Sequence, residues 1–398
     1  MLDSLWVVGL VPAPFIVYFF LQAVRYRRNY VNKDIDFKHS TPFVIFQVTT
    51  KDGPPVVADV IKRVREICAL VDYHDYRIDV VINDPEKSFD ANMIRVPREF
   101  QTPNKGRFKS RALHYAVLWR RERRENTQDN WIFHLDEESF VTKQGVLSVL
   151  KHTSAENPAP IAEGPIIYPN KMFEVSYLCR FSEALRPYIC YDCVHQMTKK
   201  KVPIHMHGSN LLVRSDIEDR VGWDFEHITA SEDQRFGHEA YVLLGPGIFG
   251  WHGGVIEEQP PPTLSWWIKQ RRRWFVGNMN NIWYGKVPLR VKAEVVGRWA
   301  SWGTGFLSGL ASVVALVVVQ NLSLELQIAL TLVAAIWFGS YQIGMRHNLK
   351  PLSLPLRLRL SIHAQLFFLT PVLGLIECYA AFSAPTKLKA WTWEPTAK

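Results

Sequence analysis

Two groups of carboxylates are the residues of this sequence best suited to bind a metal or to move a proton. Asp136 and Glu138 are separated by one residue at the end of the apolar run WIFHLD. Their oxygens are of the kind that Mg²⁺ or Mn²⁺ prefers, and the alternative is a solvated acidic turn. The second group is Ser231-Glu232-Asp233, for which capping of a helix is the alternative. Neither group alone decides between the two interpretations.

A cluster of cations and indole rings follows in the stretch LSWWIKQRRRWFVGN, residues 264–278, which contains four cations and three tryptophans. On a helix, Gln270, Arg273 and Trp274 lie on neighbouring turns of one face, because residues three and four positions apart meet there. The remaining residues fit a helix in the headgroup layer, with cations toward anionic lipid. They are Trp266, Trp267, Arg271, Arg272, Phe275 and Trp283. A helix that only anchors the chain to a membrane is the alternative.

Alternating strand and helix patterns surround these residues. The β-rich run FVIFQVTT (43–50) precedes an amphipathic stretch over 57–71, which opens after two prolines, and RIDVVIND (77–84) follows. We expect a helix over about 109–124, a strand at WIFHLD (131–136) and a helix from about residue 143. This order predicts an α/β fold with a mostly parallel sheet and helices on both faces. Because ligands bind beyond the carboxyl ends of such strands, Asp84 and Asp136 should converge on one crevice.

Four long apolar runs lie outside this region. Residues 4–24, 299–324 and 326–345 contain no charged residue, and residues 360–386 contain only Glu377. Each run is long enough to cross a hydrocarbon core of about 30 Å as a helix. The first run lacks the basic start and the small-residue cleavage site of a signal peptide, so we expect a permanent anchor.

Basic residues cluster at 25–28, 290–298 and 346–359, and all three clusters fall on one side of the membrane if the four runs span it. The chain then divides into an N-terminal anchor (1–24), a cytosolic domain (25–260), an interface region with the tryptophan cluster (261–298), three transmembrane helices (299–386) and a C-terminal tail (387–398). We therefore expect a multi-pass membrane protein whose main domain is cytosolic. The five cysteines fit this reducing compartment and suggest no disulfide framework.

Six motifs in order along the chain carry a family resemblance. They are Asp84 at a strand end, FKSRALHYAV with Lys109, HLDEES, HGSNLLVR, SEDQRF, and QRRRW ahead of the apolar runs. This series resembles the membrane-bound inverting glycosyltransferases of family two, which include the cellulose, chitin and hyaluronan synthases. Within that family, NWIFHLDEESFVT and IEEQPPPTLSWWIKQRRRW are most similar to the Egghead-type β-1,4-mannosyltransferases, which elongate glucosylceramide from GDP-mannose.

The resemblance implies a GT-A-type, Rossmann-like fold and a role for each motif. Asp136 and Glu138 would hold Mg²⁺ or Mn²⁺, with Glu138 in place of the second aspartate of the family's D-x-D element, and Asp233 would be the general base beside Glu232. The donor would be a nucleotide sugar, GDP-mannose in preference to a UDP-sugar. Its expected contacts are Thr49, Asp84, Lys109, Asp136, Gln270 and Arg273. The acceptor would be a lipid-linked sugar, with expected contacts Gly208, Ser209 and Trp274.

Two of these assignments have simpler alternatives. Lys109 could be the exposed end of a helix rather than a phosphate contact, and Gly208-Ser209 could form a tight turn.

We expect the catalytic domain to face the cytosol at the endoplasmic reticulum or Golgi of a eukaryote, or at the plasma membrane of a prokaryote.

A zinc site is a separate hypothesis for the segment around CYDCVHQ. Cys190 and Cys193 supply two thiolates, and His195, His205 and His207 are available as imidazole ligands. The histidine spacing is irregular, and a strand expected around residue 204 would place only His205 and His207 favourably. Buried or surface residues without a metal are the alternative.

Three other functions compete with transfer to a lipid. The net charge of +9 could serve nucleic acid, but the cations flank the apolar runs and no nucleic-acid module is recognisable, so we expect membrane lipids and not nucleic acid as partners. A transporter is disfavoured because the runs carry almost no charge besides Glu377. A processive polysaccharide synthase using a UDP-sugar is the alternative within the family, although three spans after the catalytic domain are few for a polymer channel.

Overall fold

A seven-stranded sheet forms the centre of the domain, and the N-terminal helix packs against the C-terminal helices. The computed structural model describes residues 10–32, 42–227, 230–319 and 321–384. Its strands are β1 (Phe43–Thr50), β2 (Tyr76–Ile82), β3 (Asn92–Arg95), β4 (Asn130–Asp136), β5 (Phe140–Val141), β6 (Ile161–Glu163), β7 (Ile166–Ile167), β8 (Leu211–Arg214), β9 (Phe249–Trp251) and β10 (Ile256–Glu257).

The order of the large sheet is β3-β2-β1-β4-β8-β6-β9, and β5, β10 and β7 form a small second sheet. Among the described strands of the large sheet, β8 alone runs antiparallel to its neighbours β4 and β6. The prediction of a mostly parallel sheet is therefore confirmed. The predicted strand at 43–50 coincides with β1, and the one at 131–136 differs from β4 by a single residue.

Helices cover both faces of this sheet. In chain order they are α1 (Ala13–Tyr26), α2 (Val56–Leu70), α3 (Phe108–Glu122), α4 (Lys143–Thr153), α5 (Arg186–Thr198), α6 (Ser215–Val221), α7 (Glu232–Leu244), α8 (Leu264–Tyr284), α9 (Leu289–Val318), α10 (Leu324–Leu349) and α11 (Leu356–Ser383). The apolar sides of α2 and α4 pack on one face of the sheet. α3, α6 and α7 pack on the other face. Alternate residues of β1 point to opposite faces, so this central strand is buried on both sides.

Local sequence explains where the helices begin. Pro54 and Pro55 precede α2, where a fixed φ suits the first turn, and the buried side recurs at helical spacing from Val57 to Cys68. The hydroxyl of Thr142 accepts a hydrogen bond from the Gly145 N–H at 2.8 Å and caps α4.

Among the helices of the described residues, α9, α10 and α11 are long and apolar enough to cross a membrane. They correspond to the three C-terminal runs, but α9 begins at residue 289, so the end of the expected interface region is the first part of this helix. The expected N-terminal anchor is described only from residue 10 onward, where it forms α1. The expected tail (387–398) lies outside the described residues.

One predicted strand does not form. Residues 199–210 run as a loop from the end of α5 to the start of β8, without the extended pairing expected around residue 204. The side chain of Gln196 replaces a neighbouring strand here: its amide oxygen accepts a hydrogen bond from the Ile204 N–H. The position of each histidine in this loop therefore depends on individual contacts and not on strand alternation.

Candidate active site

A cavity of about 730 Å³ lies beyond the carboxyl ends of β1 and β4 and is also lined by residues of α1, α9, α10 and α11. Eleven of the residues predicted from sequence line it: Thr49, Lys109, Asp136, Glu138, Gly208, Ser209, Glu232, Asp233, Gln270, Arg273 and Trp274. Asp84 is not among its described lining residues. Its carboxylate accepts a hydrogen bond from the Glu86 N–H at 2.9 Å, and the preceding Asn83 lines the cavity instead.

The expected metal ligands lie at the end of β4. β1 and β4 are parallel neighbours in which Thr49 pairs with Asp136, so both strands deliver their last residues to the same edge. The hydroxyl of Ser139 accepts a hydrogen bond from the Asp136 N–H at 3.1 Å and closes the turn. Glu138 is 6% exposed and lines the cavity. Two carboxylates on one wall are a donor set that fits a hard divalent cation such as Mg²⁺ or Mn²⁺.

Lys109, in the first turn of α3, lies between the two acidic motifs. Its ammonium donates hydrogen bonds to the carboxylate of Asp136 and to the carbonyl oxygen of Gly208, the latter at 2.9 Å. Burial lowers the pKa of Lys109, but the charges of Asp136, Glu232 and Asp233 outweigh burial and raise it overall. The side chain is 19% exposed, so the alternative of an exposed helix end is wrong. Lys109 ties the end of β4 to the loop that carries Gly208.

Asp233, the expected general base, has a raised pKa. It lies in the first turn of α7, where it is partly exposed and lines the cavity. Burial first, and the neighbouring charge of Glu232 second, raise its pKa to about 7. The Gln234 N–H, which donates to its carboxylate at 2.8 Å, and the Lys109 ammonium act in the opposite direction. A carboxylate that titrates near pH 7 can accept a proton from a hydroxyl and return it.

The turn that carries Asp233 is held by close contact with α8. Ser231 has a φ of 66°, in the left-handed region, and its hydroxyl makes no capping hydrogen bond to α7, so the capping alternative does not apply. A Cβ at Gly277 of α8 would lie 2.1 Å from the carbonyl oxygen of Ala230, and the amide nitrogen of Asn281 donates to the Ser231 carbonyl at 3.0 Å. Only a glycine permits this approach of the helix to the acidic turn.

One face of α8 points into the cavity, as predicted, and carries Gln270, Arg273 and Trp274. Among the described residues, no hydrogen bond or ion pair is made by the guanidinium of Arg273. Burial lowers its pKa, while the charges of Glu232, Asp136 and Asp233 raise it. Arg273 is therefore a partly buried cation on the cavity wall whose donors remain available to an anionic group in the cavity.

The opposite face of α8 packs on protein, which corrects the sequence prediction. Trp267, Arg271 and Phe275 are at most 1% exposed. The guanidinium of Arg271 bonds the carboxylates of Glu183 at 2.8 Å and Glu377 at 2.7 Å, so it does not face anionic lipid. A lipid-facing helix and a protein-facing helix can have the same aromatic and basic composition. Only the positions of Glu183 and Glu377 show that Arg271 faces protein. Trp283, 79% exposed, fits the predicted interface position.

The family model for glycosyl transferase family group 2 matches residues 131–341, from β4 through the acidic turn and α8 to α10. This chain belongs to that family. Two of the curated proteins similar to this glycosyltransferase are β-1,4-mannosyltransferases: egh of Drosophila melanogaster is 27% identical over 277 residues, and bre-3 of Caenorhabditis elegans is 25% identical over 285 residues. These alignments cover 67% and 68% of this chain but 59% and 60% of the relatives. The chain thus spans about three fifths of their length.

A solved structure of similar fold is the mannosyltransferase PcManGT from Pyrobaculum calidifontis, in complex with GDP-Man and Mn²⁺. The two superpose with a TM-score of 0.53 over 98% of this chain and 99% of that one, at 14% sequence identity. The agreement extends over both the sheet domain and the helices. The GT-A-type fold expected from the sequence motifs is confirmed.

Glu258 and Arg186 are two of the charged residues of the cavity that the sequence analysis did not single out. Glu258 follows β10, and its carboxylate accepts hydrogen bonds from the hydroxyls of Ser139, at 2.9 Å, and Ser209. Burial, followed by the charge of Asp136, raises its pKa to about 7. A sequence signal for Glu258 exists, since it directly follows the last residue of β10 in the run VIEEQ.

Arg186, at the start of α5, is the second such residue. Its guanidinium lies 4.5 Å from the ring centroid of Trp274, and it lines the cavity. Nothing in its local sequence distinguishes it from other arginines. Trp274 is also approached by Arg271 at 4.5 Å, so cations hold the indole in place.

Proposed function

We propose that this protein is an inverting glycosyltransferase that transfers mannose from GDP-mannose, in β-1,4 linkage, to a glycolipid such as glucosylceramide. The curated relatives support a β-1,4-mannosyl transfer, and the structure of similar fold was solved with GDP-Man and Mn²⁺. The proposal concerns a cytosolic domain that works at the membrane surface.

The observation that carries the proposal is the extent of the cavity. It contains the carboxylates of Asp136, Glu138 and Asp233. The same cavity is also lined by residues of α1, α9, α10 and α11. The apolar ones include Phe15, Phe19, Trp302, Phe306 and Trp337, and they stand beside the polar or charged Arg298, Ser301, Ser340 and Glu377. Such a space suits an acceptor that carries both a sugar and hydrocarbon.

The acceptor hydroxyl would give its proton to Asp233 as its oxygen attacks the anomeric carbon of the donor sugar. The pKa of about 7 allows Asp233 to be ionised before attack and to hold the proton afterwards. Attack from the side opposite the nucleotide, with one base and no carboxylate acting as nucleophile, inverts the anomeric centre. Gly208 leaves room for the sugar, because a Cβ there would lie 3.1 Å from the Asp233 carboxylate.

The departing nucleotide diphosphate would meet the guanidinium of Arg273, with Arg186 further along the same wall. Asp136 and Glu138 are the residues that would hold Mg²⁺ or Mn²⁺, and such a cation supplies charge neutralisation for a departing diphosphate. Lys109 would keep Asp136 and the Gly208 loop in register. Thr49 and the next three residues line the cavity, where they would contact the donor.

The first experiment is a donor screen on the detergent-solubilised full chain with Mn²⁺ or Mg²⁺. Release of GDP or UDP is followed for a panel of nucleotide sugars, with and without glucosylceramide. We expect GDP release from GDP-mannose that increases with the glycolipid, and a product with one added hexose. UDP release with a growing polymer would instead identify a processive synthase and would overturn donor, acceptor and single transfer together.

A further inference from the structure

A second cluster of metal-binding side chains lies on the cavity wall, apart from the acidic motifs. Cys190 and Cys193 of α5 and His207 of the following loop each offer one ligand atom, and these atoms lie within 4.8 Å of one another. All three residues are buried, and all three line the cavity. Positions 190 and 193 are three apart on a helix, so both sulfur atoms project from the same face.

The spacing matches that of ligands around a tetrahedral zinc ion. The Nε2 atom of His207 lies 3.7 Å from the sulfur of Cys190 and 3.7 Å from that of Cys193. Zinc bonds of about 2.3 Å to sulfur and about 2.0–2.1 Å to nitrogen, at tetrahedral angles, place sulfur and nitrogen roughly 3.6 Å apart. The side chains would therefore need little movement to bind the ion.

His207 is oriented for this role by its other nitrogen. Its Nδ1 lies 3.1 Å from the carbonyl oxygen of Gly164, an acceptor that fixes the ring proton on Nδ1 and leaves the lone pair of Nε2 toward the sulfurs. Histidines that bind metals commonly donate their second N–H to a backbone carbonyl in this way. The backbone N–H of His207 also donates a hydrogen bond to the buried carboxylate of Glu163, so this neighbour of Gly164 fixes the backbone of the loop as well.

We propose that Cys190, Cys193 and His207 bind a zinc ion with three protein ligands. Two thiolates and Zn²⁺ sum to zero charge, which is the charge a buried site tolerates best. Thiolate and imidazole ligands select zinc, whereas the carboxylates of Asp136 and Glu138 select Mg²⁺ or Mn²⁺, so the two sites would hold different metals.

The other residues of the sequence hypothesis do not complete the site. The Nδ1 of His195 lies 2.9 Å from the hydroxyl of Tyr26 in α1, so this imidazole is engaged elsewhere. His205 lines the cavity but does not belong to the three-residue cluster. The fourth position of the metal therefore faces the cavity, where water or a group of a bound molecule would complete the tetrahedron.

For the enzyme, a zinc ion at this position would link α5 to the loop of residues 199–210, which contains Gly208 and Ser209. His207 directly precedes Gly208, whose carbonyl oxygen accepts a hydrogen bond from the Lys109 ammonium. α5 packs against α1 and α10, so the ion would join the acceptor-side loop to the helices next to the membrane. The role is to position this loop, and no bond of the transfer reaction forms at the metal.

The test is the metal content of the full chain, purified in detergent with an affinity tag that contains no histidine run. Elemental analysis should find about one zinc per chain, retained after a chelator wash that removes manganese. Cys190→Ser and His207→Gln should each lose most of the zinc. Cys179→Ser changes a buried cysteine outside the cluster and should keep it.

Cobalt provides a measurement that does not depend on the variants folding. Wild-type protein reconstituted with Co²⁺ should give thiolate-to-cobalt charge transfer and the intense visible bands of tetrahedral coordination. Zinc well below one per chain together with no cobalt spectrum would overturn the proposal, as would a disulfide between Cys190 and Cys193 in the freshly purified chain. None of these measurements uses a donor sugar, so a failed donor screen leaves their outcome unchanged.

Discussion

Asp233→Asn preserves the shape of the side chain and removes its ability to accept a proton. A general base contributes on the order of 10²–10⁴-fold to the rate. Since a tenfold change in rate is about 1.36 kcal/mol, the expected loss of transition-state stabilisation is about 3–5 kcal/mol. We expect kcat for GDP release to fall by that factor, with little change in KM for the donor, because Arg273 and the metal ligands remain in place.

The acidity of Asp233 predicts the pH dependence of the wild-type enzyme. Only the ionised carboxylate accepts a proton, so with a pKa of about 7 the value of kcat/KM should fall about tenfold for each pH unit below that point. The charge of Asp136 also raises this pKa. A divalent cation bound at Asp136 would cancel that effect and add positive charge near Asp233, so the acidic limb of the metal-loaded enzyme should lie below pH 7.

Glu232→Gln is the matched control, because it removes a like charge beside the base and leaves the base itself. The acidic limb should then move to lower pH, since the charge of Glu232 is one cause of the raised pKa. An Asp233→Asn variant that melts like the wild type and keeps full activity would refute the base assignment. An Asp233→Asn variant whose kcat/KM falls on the acidic side at the same pH as that of the wild type would also refute it.

Three further changes test the surrounding structure. Asp136→Asn should raise the Mn²⁺ concentration for half-maximal GDP release by at least about tenfold, and an unchanged metal titration would contradict its role as a ligand. Gly277→Ala places a Cβ 2.1 Å from a carbonyl oxygen of the acidic turn and should lower both kcat and the melting temperature, whereas Gly339→Ala, whose Cβ meets nothing within 4 Å, should change neither. Glu377→Leu breaks a buried ion pair with Arg271, at a cost on the order of 3–5 kcal/mol, and a wild-type melting curve in detergent would show that the pair contributes nothing.

The elements of the sheet domain were predictable because their patterns are local. The β-rich run FVIFQVTT, apolar over its first four residues, is buried on both faces of β1, and a strand buried in this way carries its own signal. The periodic apolar positions of α2 likewise report the face that packs on the sheet. Strand ends then predicted where the acidic motifs meet, because neighbouring parallel strands finish at one edge.

The remaining parts of the site depend on residues that are distant in sequence. Glu258 and Ser139 are 119 positions apart, and their hydrogen bond exists only once the small sheet has formed. The loop before β8 was misassigned as a strand because Ile204 and its apolar neighbours have a strand-like composition, while their partner is the side chain of Gln196. A composition pattern reports that a residue is buried, and it does not report the contact that buries it.

The two faces of α8 give a physical reason for coupling between the C-terminal helices and the proposed donor site. Arg271 and Arg273 are two positions apart on this helix and therefore point in nearly opposite directions. Arg273 faces the carboxylates of the cavity, while Arg271 is bonded to Glu377 of α11 at 2.7 Å. A charge within an apolar helix is costly unless paired, so this contact fixes α11 against α8. Because α8 is rigid over this short distance, a displacement of α11 would also displace the guanidinium of Arg273, the group proposed above to meet the donor diphosphate. Under that proposal, an acceptor lipid in contact with α11 would influence donor binding without touching the donor.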